Sequence, residues 1–157
     1  MQEQRFEILV VDDDEGVRDS LKIILEDEYK VRAVDGGRRA LDLFKKVKPD
    51  LVFLDMVLPD MNGFQVLKQM KLMYPMTPIV IFTAYSNMSD ALHAIESGAS
   101  DYIPKPFSVA EIRRRAAELL GNGNLRPLDS ERLRQRWMTR KRSVRERFLN
   151  SSFVPSS

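Results

Sequence analysis

Short apolar runs alternate with longer amphipathic stretches through the first 121 residues of the chain. We interpret five of these runs as strands, at residues 8–11, 31–34, 51–54, 78–82 and 102–103. The runs at 8–11 and 51–54 are apolar throughout rather than alternating, which is typical of strands that are covered on both faces. The pattern therefore predicts a buried sheet with helices on both sides.

Five amphipathic stretches predict the helices, at residues 14–25, 37–47, 63–73, 88–97 and 109–120. In the first, the apolar positions 17, 21, 24 and 25 share one face, and acidic residues occupy the first turn, where the helix dipole favours them. Ser108 is expected to cap the start of the last helix and Gly121 its end. Strands separated by helices imply right-handed crossovers. The predicted fold class is therefore α/β, with a doubly wound five-stranded parallel sheet.

A change of composition near residue 121 predicts a boundary between a domain, residues 1–121, and a linker with a basic tail, residues 122–157. The domain holds 16 Lys and Arg against 20 Asp and Glu, whereas the tail holds 9 against 3. Within the tail, a short helix is predicted from Asp129 to about residue 150, with Trp137 and Phe148 as apolar anchors, followed by a frayed, partly disordered end.

The tail leaves several interpretations open. It is a solvated, partly helical basic extension, the stub of a longer protein, or an amphipathic basic helix that binds nucleic acid, an anionic membrane surface or an acidic partner. Its 36 residues are too few for an independent core. We therefore expect no separate output domain within them.

Composition excludes several kinds of chemistry. The chain has no cysteine and a single histidine, His93, so disulfides, thiolate or histidine zinc sites and a cysteine nucleophile are excluded. The hydrophobic content of 43% is enough for a core. The N-terminal residues contain no apolar signal core and no apolar run is long enough to span a bilayer, so we expect a cytoplasmic location.

Polar residues follow four of the predicted strands: Asp12 and Asp13, Asp55, Thr83, and Lys105. In an open parallel sheet these strand ends converge on one crevice. Adjacent carboxylates repel each other by roughly 4 kcal/mol at ~4 Å with an effective dielectric constant of ~20. A divalent cation such as Mg²⁺, which prefers oxygen ligands and leaves positions for phosphate oxygens, would relieve that repulsion.

An open Mg²⁺ shell in this crevice favours a phosphoryl group as ligand. The Thr83 hydroxyl would donate to one phosphoryl oxygen, Lys105 would neutralise another, and a carboxylate of the cluster would be the nucleophile. Each residue alone has an ordinary interpretation, and for Asp14 we prefer that of a helix cap. Their combined placement at one edge of the sheet favours a site.

Four motifs occur in order along the chain: Asp12-Asp13 after the first strand, LDMVLPDMNG at 54–63, Thr83-Ala84, and DYIPKPF at 101–107. Together they resemble the receiver domain of two-component response regulators. Order and spacing both agree over residues 6–120. The resemblance implies a flavodoxin-like receiver fold in a signalling domain that is not an enzyme, apart from its own phosphorylation and dephosphorylation.

The resemblance also implies roles for the acidic residues. Asp55 would be the phosphoacceptor, taking its phosphoryl group from a phosphohistidine of a sensor histidine kinase or a histidine phosphotransfer protein. Asp13 would bind Mg²⁺ directly and Asp12 largely through water. Asp55 and the backbone carbonyl of Val57 would complete the metal site.

The remaining implied roles concern the phosphoryl group and the response to it. Thr83 and Lys105 would hold the phosphoryl group, and the peptide bond between Lys105 and Pro106 would be cis. Tyr102 would be an aromatic switch that turns inward as Thr83 moves towards the phosphate; from the residues alone, a half-buried strand aromatic is an equal alternative. The output would be binding of a downstream protein partner or formation of a homodimer, through the face built by the fourth helix, fifth strand and fifth helix.

Two positions bear on how long the phosphoryl group would last. Val57 and Tyr85 would flank the path of the attacking water, and neither side chain helps to orient it. We therefore predict a fairly long-lived phosphoryl group.

Two rival enzyme classes fit less well. A Rossmann dinucleotide domain requires a glycine-rich turn after the first strand, where this chain has three aspartates and a glutamate at 12–15. A haloacid-dehalogenase-type phosphatase would, by family resemblance, require a second aspartate two residues after Asp55, where this chain has Val57. A non-phosphorylated scaffold module, or output through binding of nucleic acid by the tail, remains an alternative.

Overall fold

A computed structural model describes residues 5–84 and 87–121, together with helical positions 138, 139, 142, 145, 146 and 149 of the tail. In chain order the elements are β1 Glu7–Val11, α1 Glu15–Leu25, β2 Lys30–Val34, α2 Gly37–Val47, β3 Leu51–Leu54, α3 Gly63–Met73, β4 Ile79–Thr83, α4 Met88–Glu96, β5 Asp101–Pro104 and α5 Val109–Leu120. Asp129, Trp137 and Phe148, on which the interpretation of the tail rests, lie outside the described residues.

The five strands form one parallel sheet in the order β2-β1-β3-β4-β5. Because β1 lies between β2 and β3, the direction of winding reverses beside it, and the carboxyl ends of β1 and β3 flank the crevice where ligands bind in such sheets. The predicted α/β class and doubly wound parallel sheet are confirmed.

Each face of the sheet carries its own core. Side chains of α1 and α5 pack with Ile8 and Val10 of β1 on one face. Those of α2, α3 and α4 pack with Leu9 and Val11 on the other. The alternation along β1 shows why its run is apolar throughout: successive side chains point to opposite faces, and both are buried.

Local capping chemistry sets several helix ends. The Asp14 carboxylate accepts hydrogen bonds from the amides of Gly16 and Val17, so its interpretation as a helix cap is confirmed. The Ser108 hydroxyl caps α5 by accepting from the amide of Glu111, and Gly121 is the C-cap of the same helix. Each of the two N-terminal caps joins residues only two or three positions apart, so the sequence predicts these caps directly.

Some boundaries differ from the predicted ones. Strand β4 begins one residue later than expected and includes Thr83, which is the register partner of Pro104 in the neighbouring strand β5. Helix α4 ends at Glu96, with Ser97 as its C-cap. No helix among the described residues has the length and apolar character needed to cross a membrane.

The loop between β3 and α3, residues 55–62, folds back on itself. Val57 and Asn62 form an isolated antiparallel bridge, and the amide of Gly63 donates to the Met56 carbonyl at 3.0 Å. A Cβ atom on Gly63 would lie 2.8 Å from that carbonyl oxygen and 2.9 Å from the carbonyl oxygen of Asp55. The loop can close in this way because residue 63 has no side chain.

We expect Gly63→Ala to lower the free energy of unfolding by about 1–3 kcal/mol, because the added methyl group overlaps backbone atoms that cannot move independently. Urea denaturation with comparison of transition midpoints measures it. The matched control is Gly16→Ala in α1, where the nearest atom is a movable side-chain oxygen of Asp14 at 3.2 Å. That variant should stay within roughly 0.5 kcal/mol of the parent; equal losses in both would contradict the steric argument.

Candidate functional site

Three aspartates meet at the carboxyl edge of the sheet. The amide of Asp12 donates to the Val34 carbonyl at 3.1 Å, and the amide of Asp55 donates to the Val11 carbonyl at 2.9 Å. The backbone pairing of the strands therefore extends one residue beyond the ends of β1 and β3. Carboxylate oxygens of Asp12, Asp13 and Asp55 all lie within 4.8 Å of one another. Asp12 and Asp55 are buried, whereas Asp13 is exposed, so the cluster opens to solvent on the side of Asp13.

Lys105 lies between two of these carboxylates. Its Nζ is 2.6 Å from Asp12 Oδ2 and 3.1 Å from Asp55 Oδ2, and it lies 4.9 Å from the centroid of the Phe82 ring. Its backbone amide donates to the Thr83 carbonyl at 2.9 Å, which fixes the residue just past β5. The cluster therefore brings residues together that are 93 positions apart in the sequence.

The peptide bond that follows this lysine, between Lys105 and Pro106, is cis.

Burial and charge act in opposite directions on the pKa values in this cluster. Burial raises the pKa of the Asp12 carboxyl and the neighbouring charge of Asp55 adds to this, while hydrogen bonds from Lys105 and the amide of Asp14 lower it. For Lys105, burial lowers the ammonium pKa, but its contacts with Asp12 and Asp55 outweigh burial and raise it. Three carboxylates and one ammonium leave a formal charge of −2, which favours a divalent cation beside Asp13.

Thr83 and Tyr102 lie on the two neighbouring strands of the sheet. Thr83, the last residue of β4, is fully buried. Tyr102 of β5 is also fully buried, and packs in the core cluster that includes residues of α4. Burial raises the pKa of its hydroxyl, and the charges of Asp90 and Asp55 add to the shift. Tyr102 is therefore buried rather than half-buried.

Val57 adjoins the cluster at Asp55. Its amide donates to Asp55 Oδ1 at 3.2 Å, and the residue is 49% exposed. Tyr85, the second residue expected beside the attacking water, lies outside the described residues.

Sequence reasoning missed two contacts around the cluster. Arg18 Nη1 donates to the Asp12 carbonyl at 2.8 Å from the end of the first turn of α1. Asp60, in the loop after β3, accepts from the amides of Gly37 and Arg38. The glycine pair at 36–37 could have indicated the Asp60 contact, because it leaves the start of α2 without a side-chain cap of its own.

Comparison with known proteins identifies the family. The family model described as the response regulator receiver domain matches residues 8–117. The chain belongs to this family. Response regulator MprA of Mycolicibacterium vanbaalenii is 40% identical over 114 residues, which are 72% of this chain and 49% of that protein. Transcriptional regulatory protein CreB of Escherichia coli K12 is 37% identical over 118 residues, 74% of this chain and 52% of that protein. The chain spans about half the length of these curated relatives.

Solved receiver structures share the fold. A CheY-like response regulator receiver domain protein from Methanospirillum hungatei superposes with a TM-score of 0.72 at 29% identity, covering 74% of this chain and 94% of that one. The BeF3-activated DrrB receiver domain gives a TM-score of 0.71 at 28% identity, covering 74% and 98%. The resemblance to two-component receiver domains and the flavodoxin-like fold are both confirmed.

We expect Lys105→Met to lower the free energy of unfolding in the presence of a chelator by about 1–3 kcal/mol, because Asp12 and Asp55 lose their counter-charge. Added Mg²⁺ should stabilise this variant more than the parent, since the ammonium no longer competes for the same oxygens. Urea denaturation with and without Mg²⁺ measures both effects.

The matched control for this experiment is Lys46→Met, a change at an exposed position of α2. It should leave the stabilisation by Mg²⁺ at the parent value. A Lys105→Met protein that Mg²⁺ stabilises less than it stabilises the parent would show that the lysine supports cation binding rather than competing with it.

Proposed function

We propose that this chain is a Mg²⁺-dependent phosphoacceptor of a two-component system, acting in the cytoplasm. Asp55 accepts a phosphoryl group from a phosphohistidine of a sensor histidine kinase or a histidine phosphotransfer protein. The observation that carries the proposal is the cluster of Asp12, Asp13 and Asp55 oxygens within 4.8 Å, with Lys105 bound to two of the three carboxylates. As a signalling domain it catalyses no turnover beyond gaining and losing its own phosphoryl group.

The donor set suits Mg²⁺. The cluster offers hard carboxylate oxygens with a formal excess of negative charge, and Mg²⁺ is typically held by one or two carboxylates, phosphate oxygens and several waters. Asp13, which is exposed, would bind the ion directly and Asp12 largely through water, and Asp55 and the backbone carbonyl of Val57 would be further ligands. When bound, the ion neutralises charge on the carboxylates and on the incoming phosphoryl group.

Phosphoryl transfer makes one bond and breaks one. A carboxylate oxygen of Asp55 attacks phosphorus, the bond from phosphorus to the imidazole nitrogen of the donor breaks, and the leaving imidazole takes up a proton from solvent. The product is an aspartyl phosphate. Lys105 Nζ, 3.1 Å from Asp55 Oδ2, then pairs with a phosphoryl oxygen, and the Thr83 hydroxyl donates to another.

The response runs through Thr83 and Tyr102 to the face formed by α4, β5 and α5. Both residues are buried, on adjacent strands, and Tyr102 packs with residues of α4, so a shift of Thr83 towards the phosphoryl group changes the packing beneath that helix. An ion pair of 2.8 Å between Arg115 Nε and Asp101 Oδ2 ties α5 to β5 on the same face. A downstream protein or a second copy of the chain binds there when Asp55 is phosphorylated.

Two further outputs remain candidates. The domain of residues 1–121 and the tail of residues 122–157 are separate functional parts in this proposal, and the excess of basic residues in the tail suits binding to nucleic acid. Strong weakening by salt would distinguish phosphate contacts from apolar docking. A non-phosphorylated scaffold is the alternative if Asp55 does not react.

We expect incubation with Mg²⁺ and acetyl phosphate to add one phosphoryl group to the parent and none to Asp55→Ala. Intact-mass spectrometry measures the adduct, and a chelator should prevent it. The matched control is Asp14→Asn, at the same edge of the sheet, because asparagine also caps helices and the residue has no role in the transfer. An adduct that survives in Asp55→Ala, or one that forms equally in chelator, would overturn the assignment.

We expect Val57→Asn to speed loss of the phosphoryl group about fivefold. The half-exposed residue adjoins the Asp55 carboxylate, and one new hydrogen bond to the attacking water, worth ~1 kcal/mol, corresponds to that factor. Val57→Ala, which removes bulk without adding a polar group, is the control. Phosphate release from purified phosphoprotein measures the rate, and an asparagine variant as slow as the parent would refute the long-lived interpretation.

A further inference from the structure

Asp60 caps a helix to which it does not belong. Its Oδ1 accepts from the Gly37 amide at 2.8 Å and its Oδ2 accepts from the Arg38 amide at 3.0 Å, so one carboxylate covers the start of α2. The helix's own N-cap position is Gly36, which has no side chain to serve. A residue of the β3–α3 loop, 23 positions away, replaces it.

The glycine pair makes room for this contact. A Cβ atom on Gly36 would lie 3.1 Å from Asp60 Oδ1, and one on Gly37 would lie 2.9 Å from both Met61 Cβ and Val66 Cγ2. Side chains of the β3–α3 loop and of the first turns of α3 therefore pack directly against the backbone at the start of α2. Bulk at either glycine would push the loop away from the helix.

The two segments that Asp60 joins both adjoin the acidic cluster. The segment before α2 continues from β2, whose Val34 carbonyl accepts from the Asp12 amide. The β3–α3 loop begins at Asp55, contains Val57, and is closed by the bridge between Val57 and Asn62. Because the loop is closed on itself, fixing its tip at Asp60 also restrains its other end, where the cluster lies.

We propose that Asp60 is a positioning residue for the phosphoacceptor site. By tying the β3–α3 loop to the start of α2, it holds the Asp55 carboxylate and the Val57 carbonyl in the arrangement that binds Mg²⁺ and accepts the phosphoryl group. The proposal rests on the function proposed above and adds a residue to it. Hydrogen bonds from the amides of Arg38 and Gly37 lower the pKa of the Asp60 carboxyl, as expected of a carboxylate that accepts from two backbone amides.

Asp60 could act only as a helix cap that stabilises α2, or it could also hold the β3–α3 loop in place. A variant in which a residue of α2's own N-terminus supplies the cap distinguishes these two roles. Gly36 has extended backbone angles that any residue adopts, and the space around its missing Cβ is occupied by the Asp60 carboxylate. In the double variant Gly36→Ser/Asp60→Ala, the serine caps α2 while the loop remains untethered.

The experiment compares the full-length parent with Asp60→Ala, Asp60→Asn and the double variant. Asp60→Ala should lower Tm by about 4 °C and raise the Mg²⁺ concentration for half-saturation on the order of tenfold, with a similar slowing of labelling by acetyl phosphate. Mg²⁺ binding is read from amide NMR shifts, which do not require phosphorylation. The double variant should regain Tm but neither Mg²⁺ affinity nor labelling rate.

Asparagine keeps one of the two acceptor oxygens, so the Mg²⁺ affinity and labelling rate of Asp60→Asn should lie between those of the parent and the alanine variant. If the alanine variant fails to fold, Asp60→Asn provides the test in its place. Asp35→Ala is the matched control, because Asp35 is an exposed acid near the start of α2 that pairs with Arg39. It should leave Mg²⁺ affinity unchanged.

Parental Mg²⁺ affinity in Asp60→Ala, or full recovery of that affinity in the double variant, would overturn the positioning role and leave a helix cap. Failure of the proposed function is distinct: the parent itself would then bind Mg²⁺ without acquiring a phosphoryl group. Weakened Mg²⁺ binding in Asp60→Ala would still support the tether in that case.

Discussion

The attraction between Lys105 and the two buried carboxylates of Asp12 and Asp55 is the constraint on which this edge of the sheet depends. Parallel pairing of β1 with β3 brings the two acids together, because each follows its strand directly. Burial makes their mutual repulsion costly, and the ammonium, 2.6 Å and 3.1 Å from their oxygens, offsets it. Without such a counter-charge, the pairing of β1 with β3 would have to overcome the repulsion between the Asp12 and Asp55 carboxylates.

The same arrangement holds the acidic residues together at a site that stays open to solvent. The lysine holds the carboxylates while the exposed Asp13 leaves the cluster open to a cation on one side. In the proposed function, a cation and a phosphoryl group would take over the charges that Lys105 balances. Tyr102 packs with residues of α4 and lies on the strand next to the one that ends in Thr83, so in the proposed function these two residues would link the cluster to that helix.

Much of the architecture follows from local sequence. The bounds of α2, α3 and α5 agree with the periodicity of their apolar residues, because the burial of one helix face determines that periodicity. The cap at Asp14 lies two or three residues from the amides that it binds, so short-range chemistry predicts it. The acids after β1 and β3 and the lysine after β5 are also visible in the sequence, since parallel strands present their carboxyl ends at one edge. The other bounds that differ do so by one residue each: the starts of β1, β2 and α1, the end of α4, and both ends of β4 and β5.

The sequence by itself thus determined the order of the elements, the parallel sheet and the edge at which the polar residues gather, because periodicity, capping and strand direction are local or topological properties. The tertiary structure decided which atoms meet. The bridge of Lys105 to Asp12, the contact of Arg18 with the Asp12 carbonyl and the capping of α2 by Asp60 join residues from different elements. Their distances depend on how helices and loops pack against the sheet. No spacing along the chain encodes such packing, because it is settled by the fit of side chains from distant segments.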